Sequence, residues 1–298
     1  MGQLVIISVI VSAIITILLV PLTRKIPKSE LTARQQKVLA VFVFIIGVIS
    51  VFSFIYISKI DLHWTIFIYA LPVVALVGAI FSVGLEQKVK SAVVLVGIIA
   101  AVYLLSAPVF NAPDKYNSAE MTEGVEIQPF DETKTPASVP PQYVENKMKK
   151  AFAQVPNTSF YELGNLQIQR VNGEYVYIAP VEFSGFFKWF KGKTTPGYFT
   201  MSATDASANP KFIGQEMTYV PSAFLNDNLE RHMRLQFPTL IFYGEPQLEI
   251  DDDGKPYYIR SYGEFISARN GFDVKGIVMI DAGTGETTKL ALADVPAF

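Results

Sequence analysis

Residues 4–22 read LVIISVIVSAIITILLVPL, an uncharged apolar run of about 20 residues, which is close to the length that a helix needs to cross a hydrocarbon core. Three similar runs follow at residues 38–58, 64–85 and 91–110, and none contains Asp, Glu, Lys or Arg. Four successive helices that are apolar on every side are typical of a membrane bundle rather than of a soluble core. The first run has neither a basic segment before it nor a small-residue cleavage site after it, so we interpret it as a retained span. The sequence therefore predicts a four-helix transmembrane domain over residues 1–110.

Charge separates this part from the rest of the chain. Residues 1–110 contain 8 Lys/Arg and 3 Asp/Glu, a net charge of +5, whereas the remainder contains 17 and 24, a net charge of −7. The absence of cysteine excludes a disulfide scaffold, a cysteine metal cluster and a cysteine nucleophile. The overall negative charge argues against a broad nucleic-acid-binding surface, so no nucleic-acid partner is expected.

The short loops predict the orientation in the membrane. Five basic residues and one acidic residue lie between the first two apolar runs, and Lys88 and Lys90 lie with Glu86 between the last two. The middle loop holds only Lys59 and Asp61 as charged residues. Because basic loops stay in the cytoplasm, both termini are predicted to be extracytoplasmic, in a multi-pass protein of a bacterial plasma membrane.

The predicted spans contain no ionisable side chain of the kind that pumps and ion-coupled transporters use. This composition favours an anchor or a partner-binding bundle. The small residues Gly47, Gly78, Gly84 and Gly97 would allow close packing of the helices, or they reflect the ordinary composition of membrane helices.

Residues 111–138 are rich in Asn, Pro, Asp, Glu, Thr and Ser, which predicts an extended or flexible linker. Beyond the linker the sequence is duplicated at an offset of 81 or 82 residues, because VPPQYV at residue 139 is matched by VPSAFL at residue 220. Further pairs in the same order are Phe160/Phe242, Gly173/Gly254 and Tyr177/Tyr258. We therefore predict one repeat at residues 139–219 and a second at residues 220–298.

Both repeats follow the same local pattern. A Val-Pro pair opens a helix, and Pro156 or Pro238 ends it. Alternating β-rich runs follow, joined by the hairpin signals Asn172-Gly173 and Asp253-Gly254. The predicted strands are residues 166–171, 174–183 and 197–203 in the first repeat, and 247–250, 255–265 and 275–281 in the second. The predicted fold is an α-helical membrane bundle of four transmembrane helices plus an α+β extracytoplasmic region of two tandem helix/antiparallel-sheet repeats.

The second repeat ends in VMIDAGTGE at residues 278–286, a strand followed by an Asp-x-x-Thr-Gly-Glu turn. This segment resembles the closing strand and turn of the PepSY-type module, an α+β unit of extracytoplasmic bacterial proteins. The first repeat reads MSATDA at residues 201–206 and lacks the Thr-Gly-Glu part. The resemblance implies a binding or inhibitory role more readily than a catalytic one.

Candidate chemistry is sparse. Asp251, Asp252 and Asp253 precede Gly254, but consecutive carboxylates do not match the alternating ligands of a calcium loop, so a solvated turn is preferred over a weak cation site. His232 is interpreted as a surface residue, because no second histidine in the same region completes a metal site or triad. No catalytic, metal or cofactor-binding residue is predicted, and the protein is expected to be neither an enzyme nor dependent on a cofactor.

The most distinctive stretch is GFFKWFKGK at residues 185–193, predicted as a loop between strands. The candidate membrane- or partner-binding residues are Phe186, Phe187, Lys188, Trp189, Phe190, Lys191 and Lys193. Three interpretations remain open: Phe187 and Phe190 pack into the core beneath solvated lysines, the segment lies at an interface with lipid or with the membrane domain, or it binds a protein partner.

These features predict a non-enzymatic membrane protein that binds or regulates another envelope protein, with the lipid bilayer as its second partner. The alternative hypothesis is an accessory subunit of a membrane transport or secretion complex. An envelope enzyme is a third hypothesis, and it requires a cluster of polar side chains that converge in a pocket.

Overall fold

The computed structural model describes residues 1–117 and 137–295. The chain divides into two compact units. The helical unit comprises Met1–Glu120, Arg234–Ile241 and Glu264–Asp273, and the sheet unit comprises Met121–Met233, Phe242–Gly263 and Val274–Phe298.

Among the residues that the structure describes, three helices are long and apolar enough to cross a membrane, and all three belong to the helical unit. Its helices are α1 (Gly2–Leu19), α2 (Ala33–Ser58), α3 (Thr65–Ile80), α4 (Gly84–Phe110) and α5 (Ala112–Asn117). A short hairpin precedes α2, and its two strands, β1 (Lys25–Ile26) and β2 (Ser29–Glu30), have two residues each. The membrane-length helices are α1, α2 and α4, whereas α3 has 16 residues and is shorter than the usual span. The prediction of an apolar helical region is confirmed, and the fourth span remains a prediction.

The predicted loop between the last two apolar runs is wrong, because α4 begins at Gly84 rather than at residue 91. Glu86 and Lys90 lie one turn apart on α4 and are both buried. The Lys90 ammonium lies 2.6 Å from the Glu86 carboxylate. The same carboxylate accepts hydrogen bonds from the backbone amides of Leu22 and Thr23, each at 3.0 Å. The pair thus satisfies backbone groups beyond the end of α1, and its basic member is not a free loop charge.

Glycine allows close helix contacts at Gly78 and Gly97. A Cβ atom on Gly78 would lie 1.8 Å from the carbonyl oxygen of Leu18 on α1, and one on Gly97 would lie 1.9 Å from Pro72 on α3. Gly84 has open space beside it, so close packing does not require a glycine there. Its φ of +65° at the start of α4 is a backbone conformation that glycine adopts readily.

Two arginines connect the α2–α3 loop and the first residue of α3 to the other segments of the helical unit. The buried Arg234 guanidinium pairs with Asp61 and donates to the carbonyl oxygen of Leu240 at 2.7 Å. Arg269 donates to Thr65 at 2.8 Å. Hydrogen bonds to a carboxylate and to carbonyl groups satisfy buried guanidinium donors that would otherwise be costly.

The sheet unit contains most of the remaining elements. Its helices are α6 (Pro141–Ala151), α7 (Phe186–Gly192) and α8 (Leu229–Gln236), the last of which extends past the unit boundary at residue 234. A five-stranded sheet consists of β3 (Tyr161–Leu163), β4 (Gln167–Val171), β5 (Glu174–Phe183), β6 (Tyr198–Ser202) and β7 (Lys211–Ile213). Strands β3 and β4 both pair with β5. Strand β6 pairs with β5 on its other edge, and β7 pairs with β6; all of these pairs are antiparallel. Val144 and Met148 of α6 pack on Ala179 and Phe199 of this sheet, so one face of β5 builds the core.

A four-stranded sheet has the order β11-β10-β9-β8. Its strands are β8 (Ile241–Ile250), β9 (Pro256–Ile266), β10 (Gly271–Asp281) and β11 (Thr287–Ala291). The hairpin prediction at Asn172-Gly173 is confirmed, with φ values of 50° and 83° that suit a type I′ turn. Gly254 likewise has a φ of 81° in the turn before β9.

Two further sequence predictions require correction. The second helix begins at Leu229 rather than at Val220-Pro221, because the Asn228 side chain accepts from the Arg231 amide and starts the helix there. The same side chain donates to the carbonyl oxygen of Pro221 at 2.8 Å and holds the preceding loop. The predicted linker at residues 111–138 begins with helix α5, and residues 118–136 of it lie outside the described residues.

Candidate functional site

The aromatic and basic segment forms helix α7 rather than the predicted loop. Gly185 precedes it with a φ of 120°, and Lys193 ends it with a φ of 67°, so the two flanking residues turn the chain sharply on either side. Trp189 is 2% exposed, whereas Phe187 is 75% and Phe190 57% exposed. The core interpretation is therefore wrong for Phe187 and Phe190, and the indole is the ring that packs inside.

The α7 surface consists of Phe186, Phe187, Lys188, Trp189, Phe190, Lys191 and Lys193. Trp189 anchors it, with ring centroids 5.6 Å from Phe186 and 5.7 Å from Phe224. The Lys193 ammonium lies 4.5 Å from the Trp189 ring centroid and 4.8 Å from that of Phe190. These cation–π contacts place a positive charge beside the exposed rings. The surface therefore combines the buried Trp189 ring with three exposed phenyl rings, of which Phe187 and Phe190 are the most accessible.

In the acidic turn at residues 251–254, side-chain carboxylates accept hydrogen bonds from backbone amides. Asp251 accepts from the amide of Lys255 at 2.8 Å and from that of Asp253 at 3.1 Å. Asp252 accepts from the amide of Asn172 at 2.8 Å. The described residues contain no group of three or more His, Cys, Asp or Glu side chains that could hold a metal ion.

His232 is half-buried rather than on the surface. Its Nε2 lies 2.9 Å from the carbonyl oxygen of Gly285, and its ring centroid lies 4.3 Å from that of Tyr219. The histidine thus packs on the Asp-x-x-Thr-Gly-Glu turn. In that turn Asp281 accepts from the amides of Gly283 and Thr284, each at 2.9 Å, which gives the motif a structural role.

A buried carboxyl group that the sequence analysis missed lies in the sheet unit. Glu182 on β5 is 8% exposed and borders a cavity of about 360 Å³. We name this space the Glu182 cavity; its polar lining is Glu162, Asn165, Gln167, Glu182, Ser222 and Tyr258. The cavity brings residues of the first predicted repeat together with Ser222 and Tyr258 of the second.

Three hydrogen bonds hold the Glu182 carboxyl group. Its Oε2 accepts from the Ser222 hydroxyl and from the Ser222 amide, the latter at 3.1 Å. Its Oε1 accepts from the Tyr258 hydroxyl at 3.2 Å. The Ser222 hydroxyl also accepts from the amide of Phe183 at 2.9 Å, so it bridges two groups of the protein.

Burial dominates the electrostatics of the Glu182 cavity. It raises the pKa of Glu182 to about 7, although the hydrogen bonds from Ser222 and Tyr258 act in the opposite direction. Glu162 lies directly across from Glu182 on β3 and raises this pKa further. Burial and the neighbouring Glu182 also raise the pKa of the Tyr258 hydroxyl well above its usual value. The Glu182 carboxyl group can therefore gain or lose a proton near neutral pH.

A signal for Glu182 exists in the sequence, because residues 177–183 read YIAPVEF and one glutamate interrupts an apolar β-run. All seven residues are buried. The tertiary partners Ser222 and Tyr258, 40 and 76 residues away along the chain, carry no sequence signal that links them to this glutamate.

Comparison of the chain with protein-family models, with curated proteins and with solved structures finds no match.

Proposed function

We propose that this chain is a multi-pass bacterial plasma-membrane protein that presents two PepSY-like modules outside the cell. In this proposal the modules act without catalysis and bind or regulate another envelope protein. The observation that carries the proposal is the α7 surface, with the exposed phenyl rings of Phe186, Phe187 and Phe190 on a helix that the buried Trp189 anchors.

Several features of the helical unit agree with the proposed topology, in which the chain crosses the membrane four times and both termini are extracytoplasmic. Helices α1, α2 and α4 have the length and hydropathy of spans, and α3 is the proposed fourth. The N-terminal ammonium lies 3.3 Å from the carbonyl oxygen of Leu235, and Asp61 of the α2–α3 loop pairs with the adjacent Arg234. The N-terminus and this loop therefore approach the same segment, as expected if both are extracytoplasmic. Arg24, Lys25 and Lys28 before α2, together with Arg34 and Lys37 in the first turns of α2, support a cytoplasmic position for the α1–α2 loop.

Hydrogen bonds inside the sheet unit support the proposal of two repeats. The Gln169 side chain donates to the Ile250 carbonyl oxygen at 2.7 Å and accepts from the Ile250 amide at 3.0 Å. Asn172 and Asp252 are also hydrogen-bonded. These partners are separated by 81 and 80 residues, close to the repeat offset. Contacts between nearly equivalent positions are what two modules related by a two-fold rotation make.

The α7 surface supports a binding role because the fold does not need its exposed rings. Phe187 and Phe190 contribute little to the core, while Trp189 alone fills the buried position. Exposed aromatic side chains with a fixed backbone are typical of the residues that dominate the energy of protein interfaces. Lysines beside the rings favour a partner with acidic groups.

Photo-crosslinking in intact cells tests this proposal. A photoreactive amino acid at Phe187 should give a discrete protein adduct, whereas the same amino acid at the exposed Tyr175 of β5 should not. Phe190→Ser should reduce the adduct formed from position 187 and leave the unfolding temperature almost unchanged, because substitutions at exposed sites usually change stability by less than about 0.5 kcal/mol. A lipid adduct alone would indicate the membrane-interface alternative, and no adduct would refute binding through α7. A stoichiometric channel subunit as the adduct would support the accessory-subunit alternative.

A further inference from the structure

We propose that the Glu182 cavity binds a primary ammonium group on an alkyl chain, supplied by a lysine side chain or by a free alkylamine. The proposal concerns a site separate from the α7 surface and does not depend on it. The cavity volume of about 360 Å³ lies in the range of small-ligand sites.

The hydrogen bonds leave one acceptor position on Glu182 open. Each carboxylate oxygen has about two lone-pair positions. Both positions of Oε2 are used by the amide and hydroxyl of Ser222, whereas Oε1 accepts from Tyr258 alone among the residues that the structure describes. A ligand in the cavity can therefore donate one hydrogen bond to Oε1.

The charge around Glu182 favours a cationic ligand. Within the part of the chain that the structure describes, the groups that hydrogen-bond to Glu182 are neutral donors, and no basic side chain pairs with it. Glu162 is opposite on β3, so its side chain is on the same face of the sheet and adds a second carboxylate. A buried carboxylate without a cation is costly, and a bound cation would remove that cost.

The rest of the lining fits a primary ammonium better than a bare ion. An ammonium group has three donors, and Glu162 and Gln167, which carry side-chain oxygens, line the same cavity as Glu182. Pro180, Pro221 and Pro246 supply apolar walls that an alkyl chain can contact. The ligand class follows from this combination of two carboxylates, an amide and prolines.

Binding should depend on pH because the bound ammonium replaces the proton on Glu182. The titratable groups that face Glu182 are Glu162 from β3 and Tyr258 from β9. Since burial raises the pKa of Glu182 to about 7, the ionised fraction of Glu182 increases between pH 6 and pH 8. Affinity for an alkylammonium should increase by about tenfold over this range.

Isothermal titration calorimetry on the full chain in nanodiscs tests the proposal. The probes are 1-aminobutane for a free alkylamine and Nα-acetyl-lysine N-methylamide for a lysine side chain, with 1-butanol as the neutral control. Both amines should bind saturably and 1-butanol should not. The tighter amine identifies the source: the lysine derivative indicates a polypeptide, and 1-aminobutane indicates a small amine.

Two variants separate the role of Glu182 from general effects. Glu182→Gln should weaken amine binding by at least about tenfold, because a hydrogen bond to a charged partner is lost. Glu249→Gln, which changes a half-buried carboxyl group that does not line the cavity, should bind as the wild type does. The proposal is overturned by absence of saturable binding, by equal binding of 1-butanol, or by unchanged affinity in Glu182→Gln. Affinity that stays constant from pH 6 to pH 8 in the wild-type protein would also overturn it, whether or not the variant folds.

Discussion

Glu182→Gln should change the way in which the stability of the sheet unit depends on pH. Burial raises the pKa of Glu182 from 4.5 to about 7, so the folded state keeps its proton to a higher pH than the unfolded state. This protonation stabilises the folded state fully below about pH 4.5, and the stabilisation is lost as the pH rises through 7. Glutamine does not titrate, so the variant lacks this contribution.

The size of the effect follows from the two pKa values. The gap between 4.5 and about 7 corresponds to about 3 kcal/mol, since one pKa unit is equivalent to about 1.4 kcal/mol. The stability of the wild type relative to Glu182→Gln should therefore fall by about 3 kcal/mol between pH 4.5 and pH 8. For a domain of this size, that change corresponds to roughly 6–12 °C in unfolding temperature.

Thermal unfolding in mild detergent, followed by tryptophan fluorescence, measures this difference. The chain has two tryptophans, so a Trp64→Phe background leaves the buried Trp189 as the reporter of the sheet unit. Glu245→Gln, a change of an exposed carboxyl group on β8, serves as the control and should follow the wild-type curve. Parallel curves for the wild type and Glu182→Gln over this pH range would show that the reasoning about the buried proton is wrong.

Two further predictions concern the buried ion pair and the second helix. Lys90→Met should lower the stability of the helical unit by about 3–5 kcal/mol, because it leaves the buried Glu86 carboxylate without its cation. Lys88→Met, at an exposed position of α4, should change the stability little. Equal unfolding temperatures for the two variants in detergent would contradict this prediction. Asn228→Ala should cost about 1–2 kcal/mol, because it removes the acceptor of the Arg231 amide at the start of α8. Urea unfolding of the sheet unit measures this cost, and a stability equal to that of the wild type would argue against the proposed cap.

Local patterns predicted the elements that depend on near neighbours. The strand at Glu174–Phe183 has the predicted bounds, and the Asn172-Gly173 turn has the backbone conformation that its residue types favour. Long apolar runs predicted α1, α2 and α4, although α2 begins at Ala33 rather than at residue 38 and α4 at Gly84 rather than at residue 91. A basic residue near an apolar run was interpreted as a loop charge, whereas Lys90 is buried against Glu86 within the same helix.

The start of α8 and the α7 helix show where such patterns fail. A Val-Pro pair opens α6, but the similar pair before α8 is followed by a loop, because Asn228 supplies a stronger local start. In α7 the seven residues are too few for a periodic pattern, so nothing in the sequence distinguished the buried Trp189 from the exposed Phe187.

The sequence alone determined that the chain has an apolar helical part and an acidic α+β part, since hydropathy and charge need no tertiary partner. Only the tertiary structure decided which aromatic ring of α7 is buried and which groups surround Glu182. Ser222 and Tyr258 reach this carboxyl group from positions 40 and 76 residues away, and burial rather than sequence context raises its pKa to about 7. Solvent exclusion and long-range contacts are properties of the folded chain, and the candidate cavity depends on both.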